Sequence, residues 1–316
     1  MMAWIFWGSE VLQQVLASGQ FAITAEVTPP RGGDASHTLE AAACLRNRVH
    51  AVNVTDGSRA MMRMSSMALC RLLQEAGIEP VLQMTCRDRN RIALQADLLG
   101  AHALGIPNIL CLTGDPVRTG DQPCSRPVND LESVRLLQLV SRFNAGEDPL
   151  GGQLPDGGTR LFAGAAADPQ TRSWNGLTSR MRRKREAGAQ FVQTQMVMDG
   201  QALRRFVDEI TAPLGLPVLA GVFLLKSARN ARFINRVVPG ACIPESLIER
   251  LERSANPAAE GVAIAAEQVV HYREMAQGVH LMAVKAEERI PEILDLAGIR
   301  AVESQPLALA ASQQPC

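Results

Sequence analysis

Aromatic side chains are scarce in this chain: Phe, Trp and Tyr make up 4% of its 316 residues, and Tyr272 is the sole tyrosine. Platforms for single-stranded nucleic acid are built on stacked rings, so that class of function is excluded. Neither sign of charge dominates. Lys plus Arg number 32 and Asp plus Glu number 32, which gives no electrostatic reason to expect nucleic acid or an anionic membrane as partner. No segment reaches the roughly 18 consecutive apolar residues of a membrane span. Residues 1–8 hold Trp4, Ile5, Phe6 and Trp7 but lack the length and basic start of a secretory signal. The 7 cysteines are scattered, odd in number and without a Cys-x-x-Cys pair. Reduced thiols in the cytoplasm are therefore expected. With no His/Cys cluster, no protein-held metal is expected either.

What the chain does contain is alternation. Short apolar runs at 21–27, 51–54, 79–84, 161–167, 191–197, 217–225 and 278–284, with a further run from 110 ending in Thr113-Gly114-Asp115, read as buried parallel strands. Helical patterns fill the intervals: 9–16, 36–47, 65–76, 87–99, 131–143, 177–187, 201–210, 227–237, 244–255, 257–276 and 289–297. The helix over 87–99 is expected to bury Ile92, Ala96 and Leu99. Eight strand-then-helix units without repeat-length self-similarity predict an α/β fold, a (β/α)8 barrel, as a single domain over 1–303 with a flexible tail at 304–316. A doubly wound open sheet is the alternative, and no Gly-x-Gly-x-x-Gly follows the first strand to favour it.

In such a barrel, ligands gather beyond the carboxyl ends of the strands. Glu26, Thr55, Thr85, Asp115, Asp168 and Gln195 all fall at or near those ends. Glu26 is a carboxylate in an otherwise apolar strand, and Gln193-Thr194-Gln195 puts polar side chains inside another, which is costly unless they are paired. Gly114 would let backbone approach a ligand closely. Arg180, Arg182, Arg183, Lys184 and Arg185 share one helix, although such runs are ordinarily solvated faces. His280 reads as a satisfied core histidine. The Pro- and Gly-bearing loop over 116–128 has the length of an active-site cover. A carboxylic acid with no nucleophile-base pair beside it needs its chemistry from a cofactor.

Five motifs stand in order: Ala25-Glu26-Val27-Thr28-Pro29-Pro30, Gln83-Met84-Thr85-Cys86-Arg87-Asp88-Arg89-Asn90-Arg91, Leu112-Thr113-Gly114-Asp115, Gln193-Thr194-Gln195 and Gly278-Val279-His280-Leu281-Met282-Ala283. In these the chain resembles the methylenetetrahydrofolate reductase family, single-domain bacterial type, over roughly 21–299. The resemblance implies a flavin-bearing barrel that reduces 5,10-methylenetetrahydrofolate to 5-methyltetrahydrofolate. It implies Glu26 as the general acid at N10 and Asp115 as a carboxylate near flavin and pterin. It places Thr55, Gln83, Thr113, Gly114, Asp115, Asp168, Arg183 and Lys184 toward the flavin. Gln195, Asp115 and Phe223 are placed toward the folate.

There are departures from the family's pattern. Gln83 stands where many members have His, which resembles a branch that includes members working beside a small zinc-containing partner protein. The resemblance implies FAD as the cofactor; residues 170–176 lack the His-Pro-Glu that many members carry, which leaves FMN as the alternative. NADH, NADPH or a redox-partner protein would serve as electron donor. An oligomer is expected, with the helices over 244–276 as a candidate interface. Two other readings stay open: a flavin-free folate-binding subunit, and a pterin-dependent methyltransferase-like barrel.

Overall fold

A computed structural model describes residues 10–238, 240–300 and 302; the aromatic start and the tail over 304–316 lie outside the described residues. Eight strands form one closed parallel barrel in sequence order: β1 (Ala22–Val27), β2 (Ala51–Val54), β3 (Pro80–Thr85), β4 (Asn108–Leu112), β5 (Phe162–Ala167), β6 (Phe191–Met196), β7 (Val218–Phe223) and β8 (Gly278–Met282). The helices are α1 (Val11–Ser18), α2 (Ser36–Ala43), α3 (Ser66–Glu75), α4 (Arg91–Ala103), α5 (Ser133–Asn144), α6 (Trp174–Glu186), α7 (Gly200–Phe206), α8 (Ala228–Val237), α9 (Glu245–Arg253), α10 (Pro257–Tyr272) and α11 (Ile290–Leu296). The expected (β/α)8 architecture is thus observed. Among the described residues no helix is long and apolar enough to cross a membrane.

The two faces of each strand have separate tasks. Outward residues such as Ile23, Ala25, Val52, Val54, Leu82 and Met84 join the main core beneath the helices. The inward residues nearest the amino ends form a second apolar layer, with Ala22, Ala51, Val81, Leu110, Phe162 and Leu219 packed against Leu12 and Val15 of α1. Helix α1 therefore plugs the bottom of the barrel. Glu79 fastens the plug: its carboxylate accepts from Val11 N (2.7 Å) and Leu12 N (2.9 Å) at the positive end of the helix. In the same layer, Phe191 stacks on Phe162 at 5.0 Å and lies against Gly164, where an added Cβ would fall 2.2 Å from the ring. That glycine is required by the ring.

Above this layer the inward residues turn polar. Thr24, Asn53, Gln83, Gln193 and His280 are all buried at mid-height, and Glu26, Asp168 and Gln195 follow toward the carboxyl ends. Apart from Glu79 and Asn108, which bond to each other beneath α1, the polar interior groups lie toward the carboxyl ends, above the apolar layer.

Two sequence expectations need correction. Helix α4 begins at Arg91, capped by Asn90, whose side chain accepts from Ala93 N. It buries Leu94, Leu98 and Ala101, while Ile92 is 73% exposed. Residues 87–89 are held out of the helix by ion pairs, Arg87 with Asp88 and Arg89 with Asp56 and Asp97. Helix α7 ends at Phe206 and continues as a π turn over Val207–Thr211, where the sequence pattern reads as one α-helix.

Candidate functional site

A cavity of about 410 Å³ opens at the carboxyl ends of the strands. Glu26, Gln83, Asp168, Lys184 and Gln195 line it, with Gln193 and Thr194 from the same strand as Gln195. Three consecutive residues of β6 reach one cavity because the β6–β7 register shifts between Gln193 and Met196. Such a bulge re-aims a side chain that a regular strand would turn outward. Thr194 Oγ1 donates to Gln195 O (2.7 Å) and accepts from Gly221 N (2.8 Å), which holds the bulge. Apolar walls come from Leu110, Leu112, Leu177 and Met181.

Glu26 is half-buried at the floor. Gln83 Nε2 stands 3.5 Å from its Oε2, and His280 Nε2 3.6 Å. His280 is fully buried, its Nδ1 3.0 Å from Thr24 Oγ1, and its Nε2 has no hydrogen-bond partner. The sequence reading of a satisfied core histidine therefore holds for one ring nitrogen and fails for the other. Asn53, between Gln83 and His280, is a site residue that the sequence analysis did not single out; a lone amide in an apolar strand was the available signal.

The basic helix contributes differently from its motif. Lys184 lines the cavity and donates from Nζ to Ala166 O at 2.6 Å. Burial pushes its pKa down, and the neighbouring Arg180 guanidinium adds to this. Arg183 is exposed and does not line the cavity; Arg180, one turn before Lys184, does. Helical spacing decides the matter, since residues four apart share a face and adjacent ones do not. Asp168, just past the end of β5, accepts from Gln170 N (3.0 Å), and burial raises its pKa. Gln170 spans to β6, donating to Met196 O (3.1 Å) and accepting from Met198 N (2.7 Å).

Asp115, Thr113, Gly114 and Phe223 lie outside the cavity lining. Asp115 is exposed, and its Oδ2 accepts from Arg59 N at 2.7 Å in the turn after β2. Gly114 has φ +95°, and a Cβ there would meet Arg87 Cβ at 2.9 Å. Its smallness thus serves packing against Arg87 and Thr85. Thr113 Oγ1 accepts from Ser133 N at the start of α5 (3.3 Å). Phe223 packs with Met196, Leu225 and Met282 in a cluster beside the barrel mouth. The loop over 116–128 is tied down by Arg31–Asp121 (2.7 Å) and by Met62 N to Asp121 Oδ1 (2.9 Å).

Two further polar atoms, Thr55 Oγ1 and Gln193 Oε1, are buried without a partner. Buried hydroxyls and amides are normally paired; Thr55 lies outside the cavity lining, whereas Gln193 lines it, and Gln193 Oε1 with the cationic edge made by Arg180 and Lys184 fits a ligand that carries hydrogen-bonding edges and anionic groups.

A closed (β/α)8 barrel with a polar, acid-bearing cavity at the carboxyl ends of its strands places the chain among the barrel proteins that bind and transform small molecules at that end. Within that class the chain belongs to the methylenetetrahydrofolate reductase family, whose family model matches residues 11–298. A probable methylenetetrahydrofolate reductase (NADPH) of Caenorhabditis elegans is 23% identical over 251 residues, covering 76% of this chain and 35% of that protein. The 5,10-methylenetetrahydrofolate reductase of Salmonella typhimurium is 24% identical over 231 residues, covering 71% of this chain and 72% of that one. The match spans 35% and 40% of the Caenorhabditis elegans and Schizosaccharomyces pombe relatives. Among solved structures, a Clostridium thermocellum protein described as binding two copies of 5-methyl-5,6,7,8-tetrahydrofolic acid aligns with TM-score 0.61 at 14% identity, over 91% of this chain and 98% of that one. At that identity the likeness establishes the fold.

Proposed function

We propose that this protein reduces 5,10-methylenetetrahydrofolate to 5-methyltetrahydrofolate, with Glu26 as the general acid and a flavin, FAD or FMN, as cofactor. The observation that carries the reading is Glu26, a half-buried carboxyl at the floor of the strand-end cavity in a barrel of this family. The folate-binding Clostridium thermocellum protein supports a folate ligand on this fold. The name of the Caenorhabditis elegans relative supports a nicotinamide as electron donor.

The chain's own residues divide the work. Glu26 gives its proton to N10 of the folate's five-membered ring; the N10–methylene bond then breaks with its electron pair on N10, leaving an electrophilic iminium carbon at N5. A bound flavin, when reduced, would supply the hydride for this carbon. Gln193, with its unpartnered Oε1, and Gln195 offer amide edges to the pterin. Gln195 now spends its Oε1 on Met196 N (2.8 Å), which leaves its NH2 to donate. The Leu and Met walls exclude water from a carbon that would otherwise be captured by it. Lys184 and Arg180 would hold the cofactor's phosphates, with Asp168 beside them and Thr55 toward its ring system. Asp115 carries a negative charge at the mouth, where it favours the cationic folate.

The test separates the half-reactions. Glu26→Gln is expected to lower the folate half-reaction by about 100-fold or more, the usual scale of a lost general acid. Reduction of the bound flavin by NADH or NADPH is expected to stay intact. Equal loss in both would remove Glu26 from the acid role.

A further inference from the structure

Helix α4 packs Leu94, Leu98 and Ala101 against the barrel. A helix in that position ordinarily turns polar residues to water, as its neighbour α5 does with Arg135, Gln138 and Ser141. Helix α4 does the opposite. Its outermost residues are Ile92, Ala96, Leu99 and Ala103, all exposed, Ile92 at 73% and Leu99 at 39%. At 3.6 residues per turn the four project within about 60° of one another, in a stripe about 16 Å long. Leu104 extends the stripe at one end, and Val128 lies near the other, its N–H bonded to Arg87 O at 2.8 Å. The helix is thus apolar on both sides, the pattern of one that is covered on both. The helices over 244–276 differ, since their outer sides carry ion pairs, Arg250 with Glu260 and Glu267 and Arg253 with Glu249.

We propose that this stripe is a two-fold interface between two copies of the chain, with their α4 helices antiparallel. The order of large and small residues is what selects a second copy. Antiparallel pairing about a point between Asp97 and Leu98 sets Ile92 of each chain opposite the partner's Ala103, and Leu99 opposite the partner's Ala96. Every large side chain meets a small one, as a self-complementary isologous contact requires, and the alanines let the helices approach to the roughly 8–10 Å of close packing. Charge fits the same arrangement. The stripe itself carries none. Antiparallel helices oppose their dipoles, and Arg91, paired with Asp130 at 2.7 Å and still 60% exposed, comes to the carbonyl end of the partner's helix. Asp97 is turned aside to Arg89 at 2.9 Å. Burial and the nearby Arg160 lower the pKa of His102, so that ring is neutral near pH 7. The exposed apolar surface is on the order of 400 Å², about half of what each partner buries in a standard interface, where an apolar centre is ringed by polar groups. Because the two α4 helices are antiparallel, the two barrels are as well. Their mouths open on opposite sides, and each strand-end cavity is complete in one copy.

The test is the mass of the full-length chain in solution, by light scattering after gel filtration. The parent is expected to run as a dimer at micromolar concentration. Ile92→Arg and Leu99→Glu are each expected to raise the dissociation constant at least about 30-fold. Both side chains project outward, so the resulting monomers are expected to keep the parent's circular dichroism spectrum. The pairing has its own test. Ala96→Leu sets leucine against leucine and is expected to weaken the dimer, whereas Ala96→Leu combined with Leu99→Ala again sets large against small and is expected to recover it. A parent that stays monomeric at tens of micromolar overturns the proposal, as does an oligomer that Ile92→Arg and Leu99→Glu leave intact. A double variant no tighter than Ala96→Leu alone overturns the antiparallel pairing. None of these outcomes touches Glu26 or the strand-end cavity, so failure here leaves the proposed reaction standing.

Discussion

Arg89 and Asp56 meet side-on, Nη1 to Oδ2 at 2.7 Å and Nη2 to Oδ1 at 3.3 Å, and the contact joins the ends of β3 and β2. Asp56 Oδ2 also accepts from Thr85 N (2.8 Å) and Thr85 Oγ1 (2.9 Å), while Arg89 Nε reaches Asp97 at 2.9 Å. The Cys-Arg-Asp-Arg-Asn-Arg motif thus braces the barrel mouth. Removing one partner of a largely buried pair leaves the other charge uncompensated. Arg89→Leu is expected to destabilise the fold by about 2–3 kcal/mol, read from urea unfolding, and Arg71→Leu, at an exposed helical pair, by less than about 0.5 kcal/mol. Equal effects would show that the brace carries no special load.

That brace also marks the limit of what the sequence reveals. All eight strands were legible because a barrel interior demands short apolar runs, and each run ends within a few residues of its expected place. The buried face of α4 was not legible. Its periodicity fits both Ile92-Ala96-Leu99 and Leu94-Leu98-Ala101, and the choice depends on Arg89 being held in the loop by Asp56, a contact between distant segments. Glu26, Asp168 and Gln195 were readable as polar residues at strand ends, and Gln83 and Lys184 through the family resemblance. Arg180 was hidden within a run of similar charges, and only helix phase distinguishes it from Arg183. Asn53 and His280 lie a layer lower, where a polar residue in a strand looks like any satisfied core group until its partners are seen.

His50 gives the stability a pH dependence. Its Nδ1 accepts from Ile23 N at 2.9 Å, and burial pushes its pKa down from the ordinary 6.5 to about 4. The unfolded chain therefore binds this proton before the folded chain does. Its contribution to stability is full above pH 6.5 and is progressively lost as the pH falls toward 4. His50→Asn, which can offer Oδ1 to the same N–H without titrating, is expected to flatten the fall in unfolding free energy over that window. An unchanged slope would assign it to other groups.

Asp115 combines a structural and an electrostatic task, and two substitutions separate them. Its Oδ2 secures Arg59 N, in a turn where Arg59 and Ala60 have φ of +57° and +54°. Asp115→Asn keeps an acceptor for that N–H and is expected to leave the unfolding midpoint in urea unchanged while slowing the folate half-reaction. Asp115→Ala is expected to cost about 1 kcal/mol of stability in addition. If the Asn variant matches the parent in the folate half-reaction, the charge has no role there.

The cationic edge of the cavity makes a prediction for cofactor binding. Arg180→Ala and Lys184→Met are each expected to weaken FAD binding about tenfold, the scale of one charge-assisted hydrogen bond. Arg183→Ala is expected to leave it unchanged, since that side chain is exposed and outside the cavity lining. Quenching of flavin fluorescence on titration reads all three. A larger effect at Arg183 than at Arg180 would reverse the assignment.

The measurement that bears most directly on the account is an anaerobic absorbance spectrum of the flavin-loaded protein before and after addition of 5-methyltetrahydrofolate. The flavin is expected to bleach as hydride passes back from the methyl group, and the Glu26→Gln protein is expected to bleach far more slowly. A protein that binds neither FAD nor FMN, or one whose bound flavin keeps its colour when methyl-folate is bound, would contradict flavin-dependent reduction and leave a folate-binding barrel in its place.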